Sequence, residues 1–309
     1  MRRISFRMAS IFFVLLAVRS NFKRFVFVAA SLFWVLLLWT NAGASPADEA
    51  TELNNRAVVC VQNQNYEEAV GLLKKAIALQ PDLHTAYYNL GRIYLFIGEW
   101  DLAIEAFKQT LALKPASTEA MHQLAVSYNQ SERYAEAVEY LKQVLQLQPA
   151  RPDSLTELGF AYSQQGHPQE AIGFFKDAIR IRPDFSDAYN NLGVVYFRTG
   201  QVSAAIESLQ HAIRLTPNLA VAHYNLGYAL TKGHREREAI ASYKQALLLK
   251  PDFAEVRNNL AVLYLQHGQR SLALEQYHLL QSINSEMAQN LFEMIFQDKI
   301  LKVPDQSRE

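Results

Sequence analysis

Apolar residues recur along residues 50–287 at the spacing of amphipathic helices, and the same order of residues returns every 34 positions. Leucine occupies one position of six successive units, from Leu90 to Leu260. Proline follows the second apolar stretch of six units, from Pro81 to Pro251, and proline cannot continue a helix. The pattern therefore predicts repeated units of two antiparallel helices each.

Seven such units fit the chain. Their predicted boundaries are 50–83, 84–117, 118–151, 152–185, 186–219, 220–253 and 254–287. The first unit departs from the pattern, because Arg56 replaces the leucine and Cys60 stands at a position that we expect to be buried. The last unit has Ser285 where the proline is expected, as is typical of a terminal repeat.

Small residues shape each unit at two places. Four glycines, Gly98, Gly166, Gly200 and Gly268, lie between the two helices, where the chain must turn. Gly193 lies at a position where the two helices of one unit are expected to pack closely. A bulky residue at Gly193 should therefore overpack the contact and cost about 1–3 kcal/mol.

Shorter segments flank the repeats. Residues 45–49 are predicted to form a short polar linker, and residues 299–309 a flexible tail. Residues 286–298 have apolar side chains at intervals of four, which predicts an amphipathic helix that caps the open end of the last repeat. The apolar side chains are Met287, Leu291 and Ile295.

Residues 1–44 have the pattern of a targeting segment, with six basic residues, no acidic residue and an apolar run over 25–39. As a helix, this run would be about 22 Å long, which is shorter than a hydrocarbon core of about 30 Å and favours a signal peptide cleaved after Ala44. The alternative is an uncleaved membrane tether through residues 25–44. In both cases the basic residues stay in the cytoplasm and the repeats are exported, to the periplasm or to the periplasmic face of the inner membrane. A cytoplasmic body behind an N-terminal anchor is a third possibility, against the charge rule.

One unit carries a recognisable motif. It reads Tyr87-x2-Leu90-Gly91-x2-Tyr94, then Ala103-x3-Phe107, then Pro115. This motif resembles that of the tetratricopeptide repeat (TPR) family, W-x2-L-G-x2-Y, A-x3-F and P, and departs from it only at the tryptophan. The resemblance implies an all-α, right-handed superhelical solenoid of about seven helix pairs. It also implies that the first helix of each pair lines a concave groove in which an extended peptide or a partner helix binds.

An asparagine precedes the repeated leucine in five units. The five are Asn55, Asn89, Asn191, Asn225 and Asn259. They resemble the asparagine ladder in the repeats of O-GlcNAc transferases, and this resemblance implies that their amides pair with the backbone of a bound peptide. The alternative is that these amides bond to solvent or to a neighbouring helix.

Further residues are predicted on the same face. They are Tyr88, Arg92, Phe160, Phe197, Arg198, Tyr224, Tyr228 and Lys232. Aromatic rings beside cations favour partners with apolar or acidic side chains. Four acidic residues are predicted opposite them in the middle units, so the groove is expected to be bipolar and not uniformly basic. These are Glu119, Asp153, Glu157 and Asp187. His122 is expected there as a peptide contact or a solvated side chain.

Charge, cysteine content and motifs together exclude several classes of function. The chain has 30 basic and 30 acidic residues, and removing the six bases of residues 1–44 leaves 24 against 30, a mildly acidic body. Such a body argues against a nucleic-acid binder. The single cysteine excludes an intrachain disulfide framework, and the chain contains neither a metalloprotease, nucleotide-binding or hydrolase motif nor a transferase domain behind the repeats.

We therefore predict a non-enzymatic protein-binding scaffold with no cofactor and no metal. Its predicted task is the assembly of a cell-envelope complex, by fold-level analogy. The alternative is an accessory subunit that presents substrates to a separate enzyme, such as a glycosyltransferase.

Overall fold

The computed structural model describes residues 45–300, and within them it contains fifteen α-helices and no strand. The predicted all-α class is thereby confirmed. The helices are α1 Pro46–Gln62, α2 Tyr66–Leu79, α3 His84–Ile97, α4 Trp100–Leu113, α5 Thr118–Gln130, α6 Tyr134–Leu147, α7 Pro152–Gln164, α8 Pro168–Ile181, α9 Ser186–Arg198, α10 Val202–Leu215, α11 Ala220–Lys232, α12 Glu236–Leu249, α13 Ala254–Gln266, α14 Arg270–Gln281 and α15 Ser285–Ile300. The predicted targeting segment and most of the predicted tail lie outside the described residues.

The chain divides into two compact units, of which the first ends at Ile93 and the second begins at Tyr94. In the first unit, α1 packs along α2. In the second unit the odd-numbered helix of each pair packs along the even-numbered helix that follows it, as α5 does on α6 and α9 on α10. Each even-numbered helix also packs on the next odd-numbered one, so the core of this unit continues from pair to pair.

Helix α1 begins earlier than the sequence pattern predicted. The Ser45 hydroxyl accepts a hydrogen bond from the Asp48 backbone N–H at 3.1 Å, and the Asp48 carboxylate accepts one from the Ser45 N–H at 3.2 Å. This reciprocal capping box, together with Pro46 in the first turn, starts the helix at Pro46. Residues 45–49, predicted as a linker, are therefore the N-cap and first turn of α1.

The turn inside each helix pair needs a residue in the left-handed region. Gly98, Gly166, Gly200 and Gly268 have φ angles of 84°, 83°, 78° and 69°. In the other three pairs the same position holds a residue with a side chain. These are Gln64, Glu132 and His234, with φ angles of 60°, 61° and 55°. These three residues thus adopt the same left-handed backbone conformation as the glycines, which costs local strain.

Close packing within a pair is visible at Gly193. A Cβ atom added there would lie 2.6 Å from Cγ of Leu209 and 3.2 Å from the backbone oxygen of Ala205. The expected close approach of the two helices is therefore present between α9 and α10. Cys60, by contrast, is only half-buried, so its predicted place in the core is wrong.

Helix α15 covers the last pair. Leu291 is fully buried and Ile295 nearly so, and Met287 packs against the same core cluster. This cluster also contains residues of α13 and α14, on which α15 rests. The apolar face of α15 is therefore buried against the end of the second unit.

Candidate functional site

Successive odd-numbered helices of the second unit contact each other as well as their partners. Helix α7 contacts both α5 and α9, and α9 contacts α11. We call the surface formed by α5, α7, α9 and α11 the first-helix face. Eight of the predicted site residues lie on these helices. They are Phe160, Asn191, Phe197, Arg198, Tyr224, Asn225, Tyr228 and Lys232.

Four predicted residues lie in the first unit. The Nδ2 amide of Asn89 donates a hydrogen bond to Oδ1 of Asn54 at 2.9 Å, and Nδ2 of Asn54 lies 3.5 Å from Oδ1 of Asn55. The guanidinium carbon of the exposed Arg92 lies 5.9 Å from the centre of the half-buried Tyr88 ring. Both predicted asparagines of this unit therefore contact an asparagine that the prediction did not include.

The same amide arrangement returns in the second unit. Nδ2 of Asn225 donates to Oδ1 of Asn190 at 2.9 Å, and Nδ2 of Asn190 donates to Oδ1 of Asn191 at 3.3 Å. Asn54 and Asn190 are both buried and both directly precede a predicted ladder residue. The amide donors of Asn89 and Asn225 are thus used between neighbouring helices, and the paired Asn-Asn sequence was the signal that could have revealed this.

Aromatic residues gather on α9 and α11. The Phe197 and Tyr228 ring centres are 5.0 Å apart, and Tyr224 lies 5.2 Å from Phe253. Tyr228 remains 40% exposed, so this cluster offers an aromatic surface to solvent. Phe160 stands apart from it, with its ring 6.2 Å from that of Tyr134.

The Tyr224 and Tyr243 hydroxyls lie close to the amide of Asn259 on α13. Burial raises the pKa of the Tyr243 phenol to about 12 and also raises that of Tyr224, while the nearby Asn259 amide opposes both shifts. Asn259 therefore also faces neighbouring side chains of the fold.

The two predicted cations of this unit are exposed. Nη1 of Arg198 donates to Oγ of Ser163 at 3.1 Å, and Lys232 lies in the last turn of α11. The Arg198 hydrogen bond joins α9 to α7, so part of this side chain braces the two helices.

An open pocket of about 300 Å³ lies on the first-helix face. We call it the acidic pocket. It is lined by residues of α5, α7 and α9 and by the residue before α9. These are His122, Asp153, Thr156, Glu157, Phe185, Asp187 and Asn191. Three of the four acidic residues predicted to oppose the cations therefore lie together, with the predicted ladder residue Asn191 among them.

Two arginines neutralise carboxylates along this face. Arg151 Nη2 lies 2.7 Å from an oxygen of Glu119, and Arg182 forms two hydrogen bonds of 3.2 and 2.9 Å to the two oxygens of Asp153. Burial works against ionisation of Asp153, yet the hydrogen bonds and the positive charge of Arg182 hold its pKa below the usual value. The Asp153 carboxylate is thus already satisfied within the fold.

Glu157 and Asp187 differ from these pairs. Among residues 45–296, neither forms a salt bridge with a basic side chain. One oxygen of Glu157 accepts a hydrogen bond of 2.8 Å from Nδ2 of Asn129. Burial raises the pKa of Glu157, and the neighbouring negative charges of Asp153 and Asp187 raise it further against the effect of Asn129. The pocket thus holds carboxylates without a countercharge.

His122 lines this pocket and is not a solvated side chain. It is 7% exposed, and its Nδ1 atom lies 2.9 Å from Oγ of Ser154. Burial, assisted by the charge of Arg151, lowers its pKa to about 4. The prediction of a solvated histidine is therefore wrong, and His122 is neutral at neutral pH.

Two buried polar atoms beside the pocket have no hydrogen-bond partner among the described residues. Oγ1 of Thr156, which lines the pocket, is one of them, and Thr156 is 5% exposed. The other is Oδ1 of Asn129, whose Nδ2 bonds to Glu157. Sequence reasoning missed Thr156, because threonine at this position gives no periodic signal.

Two further classes of site have no structural counterpart within residues 45–300. This part of the chain brings no three His, Cys, Asp or Glu side chains into an arrangement that could hold a metal ion. Its helices also include none with the length and apolar character needed to cross a membrane.

Comparison with family models gives matches along most of the described chain. The model of the cytochrome c-type biogenesis protein H TPR domain matches residues 47–189. Models of tetratricopeptide repeats match residues 174–207, 195–232 and 237–268. No sequence among the curated proteins matches the chain.

Solved structures with the same fold include several repeat proteins. A tetratricopeptide repeat protein from Parabacteroides merdae has 15% identity and a TM-score of 0.66, over 80% of this chain and 99% of that one. A thermophilic TPR protein from Thermus thermophilus has 24% identity and a TM-score of 0.54, over 59% and 99% of the two chains. The APC/C hetero-tetramer Cut9–Hcn1 has 19% identity and a TM-score of 0.64 over 81% of this chain and 53% of that one, so the present chain spans about half of that relative. At these identities the similarity concerns the fold alone.

Proposed function

The chain belongs to the tetratricopeptide repeat family, and we propose that it is a non-enzymatic scaffold that binds a protein partner on the first-helix face. The bound segment is an extended peptide or a partner helix, as the family resemblance implies. We further propose that this binding serves the assembly of a cell-envelope complex.

The observation that carries the proposal is the chemical character of the first-helix face. The exposed aromatic Tyr228 and the exposed cation Lys232 both lie on α11. This helix contacts α9, which contributes to the open acidic pocket. Interfaces between proteins are rich in aromatic anchors surrounded by polar groups. A surface of this kind supports recognition of a polypeptide.

Two features support a role in the cell envelope. The basic and apolar pattern of residues 1–44 is typical of a secretory signal or an N-terminal tether. The matched family model over residues 47–189 describes a TPR domain of a cytochrome c-type biogenesis protein. Cytochrome c maturation is therefore the envelope process that we would examine first.

A photo-crosslinking amino acid would test the binding face. It is placed at Tyr228 on α11, or at Leu248 on the neighbouring helix α12, which is 73% exposed and serves as the matched control. Both full-length proteins are expressed and irradiated in the native cell, and crosslinked proteins are identified by mass spectrometry. We expect position 228 to crosslink to specific proteins, and we expect none of these proteins to crosslink to position 248. Adducts from position 248 alone would place binding on a different face and refute the proposal.

Cell fractionation would test the location. The mass and the N-terminus of the product are determined for the soluble and the membrane fractions. A product that starts at Ser45 in the periplasm supports a cleaved signal, and an intact N-terminus in the membrane supports a tether. A body accessible only from the cytoplasm would contradict the envelope role.

A further inference from the structure

We propose that the acidic pocket receives a basic side chain, arginine or lysine, of the protein partner. This inference rests on the proposed function and adds to it the chemistry of the bound segment. Three independent properties of the pocket support a basic ligand: its uncompensated charge, an unpaired buried hydroxyl and its size.

The charge follows from an interruption in the repeat. Arg182 pairs with Asp153 of α7. One period of 34 residues later, Asp187 occupies the position of Asp153, but the position of Arg182 is taken by Thr216. Asp187 therefore lacks the cation that its counterpart has, and Glu157 beside it also forms no salt bridge within residues 45–296. A cation from a partner would supply the missing charge.

The Thr156 hydroxyl is buried at the pocket without a hydrogen-bond partner among the described residues. Buried polar groups are nearly always paired in native proteins, so the unpaired oxygen at the pocket is available to accept a hydrogen bond from a bound group. An N–H group of a guanidinium or an ammonium can donate to this oxygen while its charge faces the carboxylates.

The size of the pocket and the charge around it also fit a long basic side chain. A volume of about 300 Å³ accommodates one long side chain rather than a folded segment. Thr156 occupies the repeat position at which Tyr88 and Tyr224 stand in other units, and its shorter side chain leaves this room. His122 also lines the pocket and has a pKa of about 4, so at neutral pH it adds no positive charge that would repel the ligand.

A peptide array would test the inference. The purified full chain is applied to an array of random 12-residue peptides, and the composition of the bound peptides is compared with that of the whole array. We expect enrichment of arginine or lysine at one position of the aligned binders. One binder is then resynthesised with citrulline at this position, which keeps the shape of arginine without its charge. Its affinity, measured by fluorescence anisotropy, should fall at least tenfold.

Variants would connect this preference to the pocket. The double variant Glu157→Gln, Asp187→Asn removes both uncompensated charges, and we expect it to bind arginine and citrulline peptides equally. The control is Glu139→Gln, Glu207→Gln, which removes two exposed acidic groups from the even-numbered helices α6 and α10. The control should keep the preference, because it changes the net charge equally and leaves the pocket intact.

Thr156→Val separates a role in binding from a role in folding. The valine has nearly the same shape, and it removes a hydroxyl that is unpaired in the free protein. We expect weaker binding of the arginine peptide together with an unchanged or higher melting temperature. Unchanged binding in Thr156→Val would refute the role of the hydroxyl.

Different results would refute the scaffold function and the basic ligand of the pocket. If the full chain binds no peptide on the array and no protein in the crosslinking experiment, the proposed scaffold function is wrong. If it binds peptides without a preference for basic residues, or if the pocket variant keeps that preference, the scaffold function stands and the inference about the pocket is overturned.

Discussion

Acidification should destabilise the second unit through His122. The pKa of this side chain is lowered from 6.5 to about 4, mainly by burial. In the unfolded chain the imidazole gains a proton below about pH 6.5, whereas in the folded chain it resists protonation until about pH 4. The unfolded state therefore binds more protons in this window. The stability that the neutral histidine provides is complete above pH 6.5 and is lost as the pH falls.

The magnitude follows from the two pKa values. Between pH 7.5 and pH 5 the difference in proton binding lowers the free energy of unfolding by about 2 kcal/mol. The side chain is only 7% exposed, so screening by solvent reduces this figure little.

The assay compares the protein with His122→Asn. The asparagine amide can replace the Nδ1 contact to Ser154 and does not titrate. Urea unfolding is followed by circular dichroism at pH 7.5 and pH 5. Because a repeat array need not unfold in one step, hydrogen-exchange protection of α5 and α7 is measured beside it. The parent protein should lose about 2 kcal/mol more than His122→Asn between the two pH values.

The control for this measurement is His267→Asn, which changes an exposed histidine at the end of α13. Its loss of stability should follow that of the parent protein. Carboxylates such as Glu119 and Asp153 also face His122, and they titrate in the parent and in both variants, so the difference between proteins isolates the histidine. Equal losses in the parent and in His122→Asn would refute the reasoning.

Three further substitutions test other features of the structure by urea or thermal unfolding. Gly193→Val should lower the free energy of unfolding by about 1–3 kcal/mol, because its Cβ meets Leu209, whereas Gly173→Val, with nothing within 4 Å, should change it by less than about 0.5 kcal/mol. Glu132→Gly should raise it by about 1 kcal/mol, since this position has a φ of 61°, and an unchanged stability would argue against strain there. Glu157→Gln should raise it at pH 7.5 with a gain that vanishes in acid, because burial raises the pKa of this carboxyl and makes its ionised form costly; a gain independent of pH would contradict this cause.

The sequence was sufficient for the helices, because their determinants repeat. Apolar positions, a turn glycine and a closing proline recur at one period, and each repetition strengthens the same interpretation. The start of α1 was missed because it depends on a single capping interaction between Ser45 and Asp48. One interaction that occurs once leaves no periodic signal, so the polar residues around it were interpreted as a linker.

The candidate site was less predictable for the same reason. The period indicates which helix carries His122 but not how deeply it lies, since the side chain is covered through contacts such as that with Ser154 in the next repeat. The asparagines show a related limit. Their spacing predicts a row along the face, but the Asn225 amide donates its hydrogen bond to Asn190 of the preceding repeat. Contacts between repeats depend on pairs of residues that differ from repeat to repeat.

The repeat architecture explains how the second unit can contain an acidic pocket at all. The unpaired Thr156 hydroxyl and the Glu157 carboxylate, whose ionisation burial makes costly, each reduce stability, and both lie on α7. In a linear array, stability is close to a sum over repeats and their interfaces, so the neighbouring pairs can compensate for a costly one. Interactions that lower stability without helping the fold are most often kept where they serve recognition. Because these groups lie together at one pocket and not along the whole first-helix face, they favour this pocket as the place where the partner is recognised.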